Sequence, residues 1–452
     1  MNGPVPGHRS DLHAETLNNP PINDLPFEVL SKIFILALPK DEEFIKGTHL
    51  FFPPLPNPLS FCAVCSLWRS FALDTPQLWK RVFVCVPLGI SGKEARSKAA
   101  DLVPWIERSA PLKLPLTLFI SYGVSTSLSE LGPAAPIVRV LNRYATRWET
   151  LYLQYAGQWS KLSEHRSELF SFAEWNSLQR IYSLRNHSGL MRDKAAPWGQ
   201  LTHLKILSHV SYQRAMEMLK GCPKLVWLSI HVESRLASEE PASPFILRDL
   251  SSIAIRSKNI SAVVGSIFLP TLQDLSIRMS WQTSTDLLSI HHFLTRSDCV
   301  LQKLKISALH CQPNDLVHVL THPSCNSLTS LTISDWSFSE YASADEEVLR
   351  RLTFRQDDTL CPRLESLTLE RCVQPRAYSA LLCMVESRIG SYAGQLADGL
   401  LGYLNLQVEN VDEVEERLDE IIKRSGIQYN GRQKSPTVYS VWFTRPQVLD
   451  AA

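Results

Sequence analysis

Long apolar runs are missing from this chain. The strongest, Ser261–Leu269, is about half of the ~18–20 residues that a membrane-spanning helix needs. The opening residues, Met1–Ser10, have no apolar core of the kind a secretory leader carries. An excess of charge of one sign is missing as well: 46 Lys and Arg face 45 Asp and Glu, a formal net charge of +1. A balance so close to zero gives no bulk electrostatic attraction for nucleic acid or an anionic bilayer, and neither is expected as a partner. Ten cysteines spread over 452 residues are too sparse for a disulfide framework and fit small core residues in a reducing compartment. A cytoplasmic or nuclear setting is therefore expected.

Catalytic signatures are absent too. The sequence contains no G-x-S-x-G, no phosphate loop ending in Lys-Ser/Thr and no H-E-x-x-H. Cys62-Ala-Val-Cys65 is a single CxxC with apolar neighbours and no second pair at zinc spacing, so helix core is its expected place. His310-Cys311, His318, His322 and Cys325 are a denser group. Val317, Val319 and Leu320 take the core face of the helix expected there, which leaves His318 and His322, four apart, on its solvent face. Neither group defines a metal site, no cofactor is implied, and no catalytic residue is assigned. The chain is not expected to be an enzyme.

What the chain has in abundance is a repeat. Leu201-Thr-His-Leu-Lys-Ile206, Leu225-Val-Trp-Leu-Ser-Ile230, Leu272-Gln-Asp-Leu-Ser-Ile277, Leu301-Gln-Lys-Leu-Lys-Ile306, Leu328-Thr-Ser-Leu-Thr-Ile333 and Leu364-Glu-Ser-Leu-Thr-Leu369 are copies of Leu-x-x-Leu-x-(Ile/Leu). The alternating second half of each copy reads as a strand, and the segments between read as helices; Tyr212–Lys220, closed by Gly221, is one. The middle positions (Leu204, Leu228, Ile253, Leu275, Leu304, Leu331 and Leu367) follow one another in steps of 22 to 36 residues. Looser copies extend the series back through Ile181, Leu151, Leu116 and Val82 and forward to Leu404. Steps of this size with one strand and one helix each match irregular leucine-rich repeats. One unit cannot bury its own apolar stripe and must stack on its neighbours. The fold class expected is therefore α/β: a solenoid with a parallel inner sheet and outer helices over residues 81–410. Residues 411–452 would cap its end, through an amphipathic helix with Val411, Val414, Leu418, Ile421 and Ile422 as its stripe and a last strand at Tyr439–Phe443.

The first eighty residues follow a different pattern. Residues 1–21, rich in Pro, Asn and Gly, read as a disordered tail. Leu25, Val29, Leu30 and Ile33 then fall at helical spacing behind Pro26, which pre-sets φ for a helix start. Phe61, Val64, Cys65 and Trp68 share one face of a second helix. Between them Pro39, Pro53, Pro54, Pro56 and Pro58 rule out continuous helix, and the Phe51-Phe52 pair sits in that loop. A proline-looped helical module of this length has little core of its own and gains from burial against another protein.

The order Leu25-Pro26 … Val29-Leu30 … Ile33, then Val64-Cys65 … Trp68-Arg69, then Leu78-Trp79 resembles the F-box. With the repeats behind it, the chain is similar to F-box–leucine-rich-repeat proteins of the kind abundant in mushroom-forming fungi. The resemblance implies that residues 22–80 bind a Skp-type adaptor, and through it a cullin. Leu25, Pro26, Val29, Leu30, Ile33, Val64, Cys65 and Trp68 would form or support that surface. It also implies that the repeats hold a substrate protein for ubiquitin transfer. On the strand face turned away from the core the register places His203, Lys205, Trp227, His231, Arg256, Arg278, Lys303 and Lys305 against Asp274 and Glu370. Ordinary polar decoration of a wet sheet is one reading of that stripe. The other is a docking surface for an acidic or phosphorylated segment, with Arg256 and Arg278 as bidentate donors and Trp227 as anchor. A leucine-rich scaffold with no ligase role stands as the alternative for the whole chain.

Overall fold

The computed structural model describes residues 21–39, 57–87, 89–122, 134–155, 175–183, 197–236, 240, 242–279, 287–308, 312–335, 342–355, 359–389, 401–408, 411–425, 429–435 and 438–443. The expected N-terminal tail, Phe51-Phe52 and His310-Cys311 lie outside them. Among the described residues no helix is long and apolar enough to cross a membrane. They fall into two compact units, one within 1–156 and 167–177, the other within 178–452.

The first unit starts with helices α1 (Phe27–Ala37), α2 (Pro58–Cys62) and α3 (Ser66–Leu73). The second helix of the sequence reading is thus two helices. Asn57 caps α2 through Ser60, the chain turns at Ala63-Val64, and Cys65 opens α3 by accepting the Trp68 N–H on its sulfur at 3.4 Å. An Asx cap at one end and a sulfur cap at the other stop a continuous helix from running through the turn. Leu30, Phe34, Phe61, Ala72, Leu78 and Trp79 make the interior, with Trp68 and Phe71 packed against it. Phe34 stacks on Phe61 at 4.5 Å and leans on Trp68 at 4.9 Å. The Trp79 indole donates to the Ala72 carbonyl at 2.8 Å, which satisfies its one polar atom in a fully buried place.

Strand β1 (Arg81–Val86), α4 (Gly92–Arg108), β2 (Leu116–Tyr122), α5 (Ala135–Arg143) and β3 (Trp148–Tyr155) follow, and the three strands pair in parallel. Trp105 of α4 ties them to the helical module: it meets Trp79 edge-on at 4.9 Å and donates to the Arg81 carbonyl. Val82 aligns with Leu118 and Leu151. The register position in β2 is therefore Leu118, not Leu116, as the unshifted β1–β2 pairing sets it.

The second unit repeats one arrangement. Its strands are β4 (Arg180–Ser183), β5 (His203–Val210), β6 (Trp227–Val232), β8 (Ser252–Ser257), β10 (Asp274–Met279), β11 (Lys303–Ala308), β12 (Ser330–Asp335), β13 (Ser366–Glu370) and β14 (Tyr403–Gln407), all parallel. A short parallel pair, β7 (Phe245–Ile246) with β9 (Ile267–Phe268), stands apart from them. The connecting helices include α6 (Tyr212–Lys220), α7 (Ile260–Gly265), α8 (Leu288–Ser297), α9 (Pro313–Leu320), α10 (Glu346–Leu352) and α11 (Tyr378–Ile389). Several start on a side-chain cap, Asn259 for α7 and Asp345 for α10.

The Leu-x-x-Leu-x-Ile copies have a backbone reason. The carbonyl just before each strand accepts two consecutive N–H groups from the following repeat. Gln179 takes those of Thr202 and His203, Thr202 those of Val226 and Trp227, and Val226 those of Ser251 and Ser252. The same fork recurs at Ser251, Gln273, Gln302, Thr329 and Glu365. It fixes where each strand begins. The first Leu packs beneath the fork, while the middle Leu and final Ile point inward as two buried ladders, Leu204–Leu228–Ile253–Leu275–Leu304–Leu331–Leu367–Leu404 and its partner two residues on.

The C-terminal end is closed by α12 (Val411–Ser425), which buries Val414, Leu418, Ile421 and Ile422, and by an antiparallel hairpin of β15 (Tyr429–Ser435) and β16 (Val438–Phe443). β16 is the expected last strand and pairs antiparallel with β14; β15 was not foreseen. Tyr429-Asn-Gly-Arg-Gln-Lys-Ser435 is too polar to show a strand's alternation.

Candidate functional site

Helix α1 carries two apolar faces. Leu30 and Phe34 point into the module. Val29, Ile33 and Leu36, at i, i+4 and i+7, lie on the neighbouring side, about 100° round the helix, and stay 43%, 39% and 70% exposed. Val64, in the turn between α2 and α3, is 59% exposed, and Leu59 and Ile35 are exposed as well. So many exposed large aliphatic groups on so small a module are more than a solvated helical surface ordinarily carries.

The predicted adaptor residues therefore divide. Val29, Ile33, Val64 and Pro26 are open to a partner, and Leu25 is half-buried. Leu30 is fully buried and Trp68 is half-buried against Phe34, so both belong to the module's own core rather than to its outer surface. Cys65 spends its sulfur on the α3 cap. Helical spacing grouped Leu25, Val29, Leu30 and Ile33 on one side, but Leu30 sits 100° from Val29 and turns inward with Phe34. Leu36 was missed. Its signal was present as the third member of the series with Val29 and Ile33.

On the open face of the second unit the parallel register assembles the second candidate surface. One transverse row runs His209, His231, Arg256, Arg278, Ser307, Ser334 and Glu370. The next holds Tyr182, Lys205, Ser229, Ala254, Ser276, Lys305 and Thr332. A third holds Arg180, His203, Trp227, Ser252, Asp274, Lys303 and Ser330. Adjacent members of a row sit about 4.8 Å apart. All seven predicted substrate-side residues, Lys205, Trp227, His231, Arg256, Arg278, Lys303 and Lys305, thus come together on β5 to β11, whereas β12 to β14 contribute mainly Ser, Thr and Asn.

The environment of these groups is strained in charge. His231 is largely buried; its pKa is pushed down to about 4, first by burial and then by His209, Arg256 and Lys258. The His209 and His231 rings are 3.7 Å apart. Burial, with the Arg278 guanidinium next, lowers Arg256. Burial alone lowers Lys205. His203 is lowered by burial and by Arg180, and its ring lies 6.4 Å from Trp227. Asp274 is raised by burial against the opposing pull of Lys303 and of a hydrogen bond from Ser252. Partly desolvated cations in one row attract an anion more strongly than solvated ones do, because much of the water has already been removed.

His209 was not foreseen. A register shift between Ile206 and His209 adds two residues to β5 and brings His209, in place of Leu207, beside His231. The histidine pair of the sequence reading also separates: His318 is exposed on α9, while His322 lies beyond the helix end and is buried.

Comparison with known proteins bears on the segment that carries the first of these surfaces. Residues 22–85 match the family model "F-box-like", so the chain carries an F-box-like domain at its N-terminal end; the match runs from the approach to α1 into β1. A search of curated proteins gave no match. Among solved structures the chain is similar to one described as "Crystal structure of Rad7 and Elc1 complex in yeast", with 13% identity over 77% of this chain and 91% of that one at a TM-score of 0.33. A likeness that distant decides neither partner nor function.

Proposed function

We propose that this protein is a substrate-selecting adaptor of a Skp–cullin–F-box ubiquitin ligase. The observation that carries the reading is the outward stripe Val29–Ile33–Leu36 with Val64, on a segment that matches the F-box-like model. This stripe would dock the Skp-type adaptor, and the adaptor the cullin. The rows on β5 to β11 of the leucine-rich repeats would hold an acidic or phosphorylated segment of a substrate protein. Arg256 and Arg278 would fork onto its anion while Trp227 covers its apolar part. The chain itself would perform no chemistry. By fixing the substrate near the transferring thioester it would raise the effective concentration of substrate lysines, in the cytoplasm or nucleus.

Titration of a purified Skp-type adaptor into the full chain, followed by calorimetry, tests the reading. Saturable one-to-one binding is expected. A folded chain that does not bind would overturn the ligase role and leave a leucine-rich binding scaffold.

The substrate face has its own test. Charge-assisted hydrogen bonds are worth ~1.5–3 kcal/mol each. Arg256→Glu/Arg278→Glu should therefore weaken binding of a fluorescent pool of acidic and phosphorylated peptides about tenfold or more, and leave adaptor binding unchanged. Parent binding should also fall steeply with added salt. An unaltered affinity in the variant would return these strands to ordinary polar decoration.

A further inference from the structure

Away from both surfaces, on the helical side of the second unit, three histidines from two successive repeats touch. The His291 ring of α8 stacks on His318 of α9 at 4.3 Å and meets His322 edge-on at 4.8 Å. His322 is buried and held at both ring nitrogens. Its Nδ1 accepts the Ser324 N–H at 3.1 Å, capping the turn Pro323–Cys325, and its Nε2 lies 3.1 Å from the Thr295 hydroxyl. The Thr295 hydroxyl donates in turn to the His291 carbonyl at 3.0 Å. With its own proton committed there, Thr295 can only accept from His322, so Nε2 carries the hydrogen and Nδ1 none. A second proton on His322 would have to enter at Nδ1, directly against the Ser324 N–H.

We infer that His291 and His322, with the His318 ring stacked on His291, form a proton-sensitive joint between neighbouring repeats, closed while His291 and His322 are neutral and loosened when they charge. Closed, the joint caps the turn leading to β12 and holds α9 on α8. Charged, it loses the cap and sets like charges ring to ring.

The surroundings offer little compensation. On α8 the other titratable groups are His292 and Arg296, and Arg296 is turned away onto the Val264 and Gly265 carbonyls. α7, packed on the other side of α8, carries none. α9 brings Asp315, one turn before His318. On α10 the charges are Glu346, Glu347, Arg350 and Arg351, with Glu347 paired to Arg350. Burial lowers both His291 and His322, and the neighbouring histidines lower them further.

The sign follows. A histidine lowered on folding binds fewer protons in the closed form than in the open one. Its contribution is complete above the ordinary histidine pKa of ~6.5 and is lost as pH falls below it. Each such histidine raises the opening equilibrium between pH 7.5 and 5.5, by up to about tenfold.

Hydrogen exchange of the full chain at pH 7.5 and 5.5, corrected for the intrinsic rate, reads this directly. Protection of residues 288–297 and 313–325 should fall severalfold relative to 212–220, the α6 segment that contains no histidine. In His291→Gln/His318→Gln the drop should shrink severalfold, and His318→Gln alone, at an exposed position, should shrink it in part. An equal loss of protection in all three segments, or an undiminished loss in the variants, would overturn the inference. Neither surface of the proposed function enters this measurement.

Discussion

Ile33→Ser/Leu36→Ser is expected to abolish capture of a Skp-type adaptor while the chain keeps its stability. Both side chains face away from Leu30 and Phe34, are substantially exposed, and contribute nothing to the module's interior. Removing them from the free protein costs little and even relieves apolar hydration. At an interface the same groups would be central anchors. Hot-spot truncations cost about 2 kcal/mol or more each, so the pair should lose about 4 kcal/mol, close to a thousandfold in affinity. Leu30→Ala is the contrasting variant. It empties a fully buried site beneath Phe34 and should destabilise the module by ~2–5 kcal/mol, with adaptor binding lost only through unfolding. Calorimetric titration beside a urea curve for each variant separates the outcomes. Serine variants that bind as the parent does would remove the outward stripe from the interface. A loss of stability equal to that of Leu30→Ala would place these side chains in the core.

The two surfaces were legible in the sequence to different degrees, for a physical reason. A strand presents alternate residues to opposite sides, so one correct Leu fixes the direction of every neighbour. The repeated Leu-x-x-Leu-x-Ile therefore placed Lys205, Trp227, His231, Arg256, Arg278, Lys303 and Lys305 on one face before any coordinates. It failed at the shift after Ile206 that swings in His209, and at Leu116, two residues before the Leu118 that holds the register position. A helix is less forgiving. The 100° between Val29 and Leu30 decides which of two apolar groups faces solvent, and a Val-Leu-Ser-Lys-Ile-Phe-Ile-Leu run, with apolar residues on both sides of Ser31-Lys32, does not say which side the core lies on. The short α2 and α3 pose the same difficulty. Their boundary rests on the Asn57 and Cys65 caps, and a cysteine cap is not a recognised start signal. His322 was misread because the helix ends at Leu320, two residues before it.

Arg388 carries a second large expected effect on stability. It lies on α11 with its side chain fully enclosed and donates from Nε to the Leu352 carbonyl at 2.7 Å, from one terminal nitrogen to Leu360 at 2.7 Å, and from the other to Cys361 at 3.2 Å. Burial lowers its pKa to about 10, which still leaves it protonated at neutral pH. The three acceptors belong to the end of α10 and to the bend before β13, where Cys361 adopts a φ of 51°. One guanidinium thus ties a helix end, a left-handed turn and the next helix of the stack. Arg388→Met fills much of the space, strips the Leu352 and Leu360 carbonyls of this donor and leaves the Cys361 carbonyl with the Leu364 N–H alone. At ~1–3 kcal/mol for each of the two carbonyls, partly offset by no longer burying a cation, the net loss should be about 2–4 kcal/mol. Arg388→Lys keeps the charge but has one nitrogen, with a shorter reach, in place of three in a planar fork. It cannot reach carbonyls on three sides and should recover only a minor part. Urea midpoints of the full chain at neutral pH measure both. A Lys variant as stable as the parent would mean that charge alone suffices at this site. A Met variant as stable as the parent would mean that the buried cation costs the fold as much as its three bonds return.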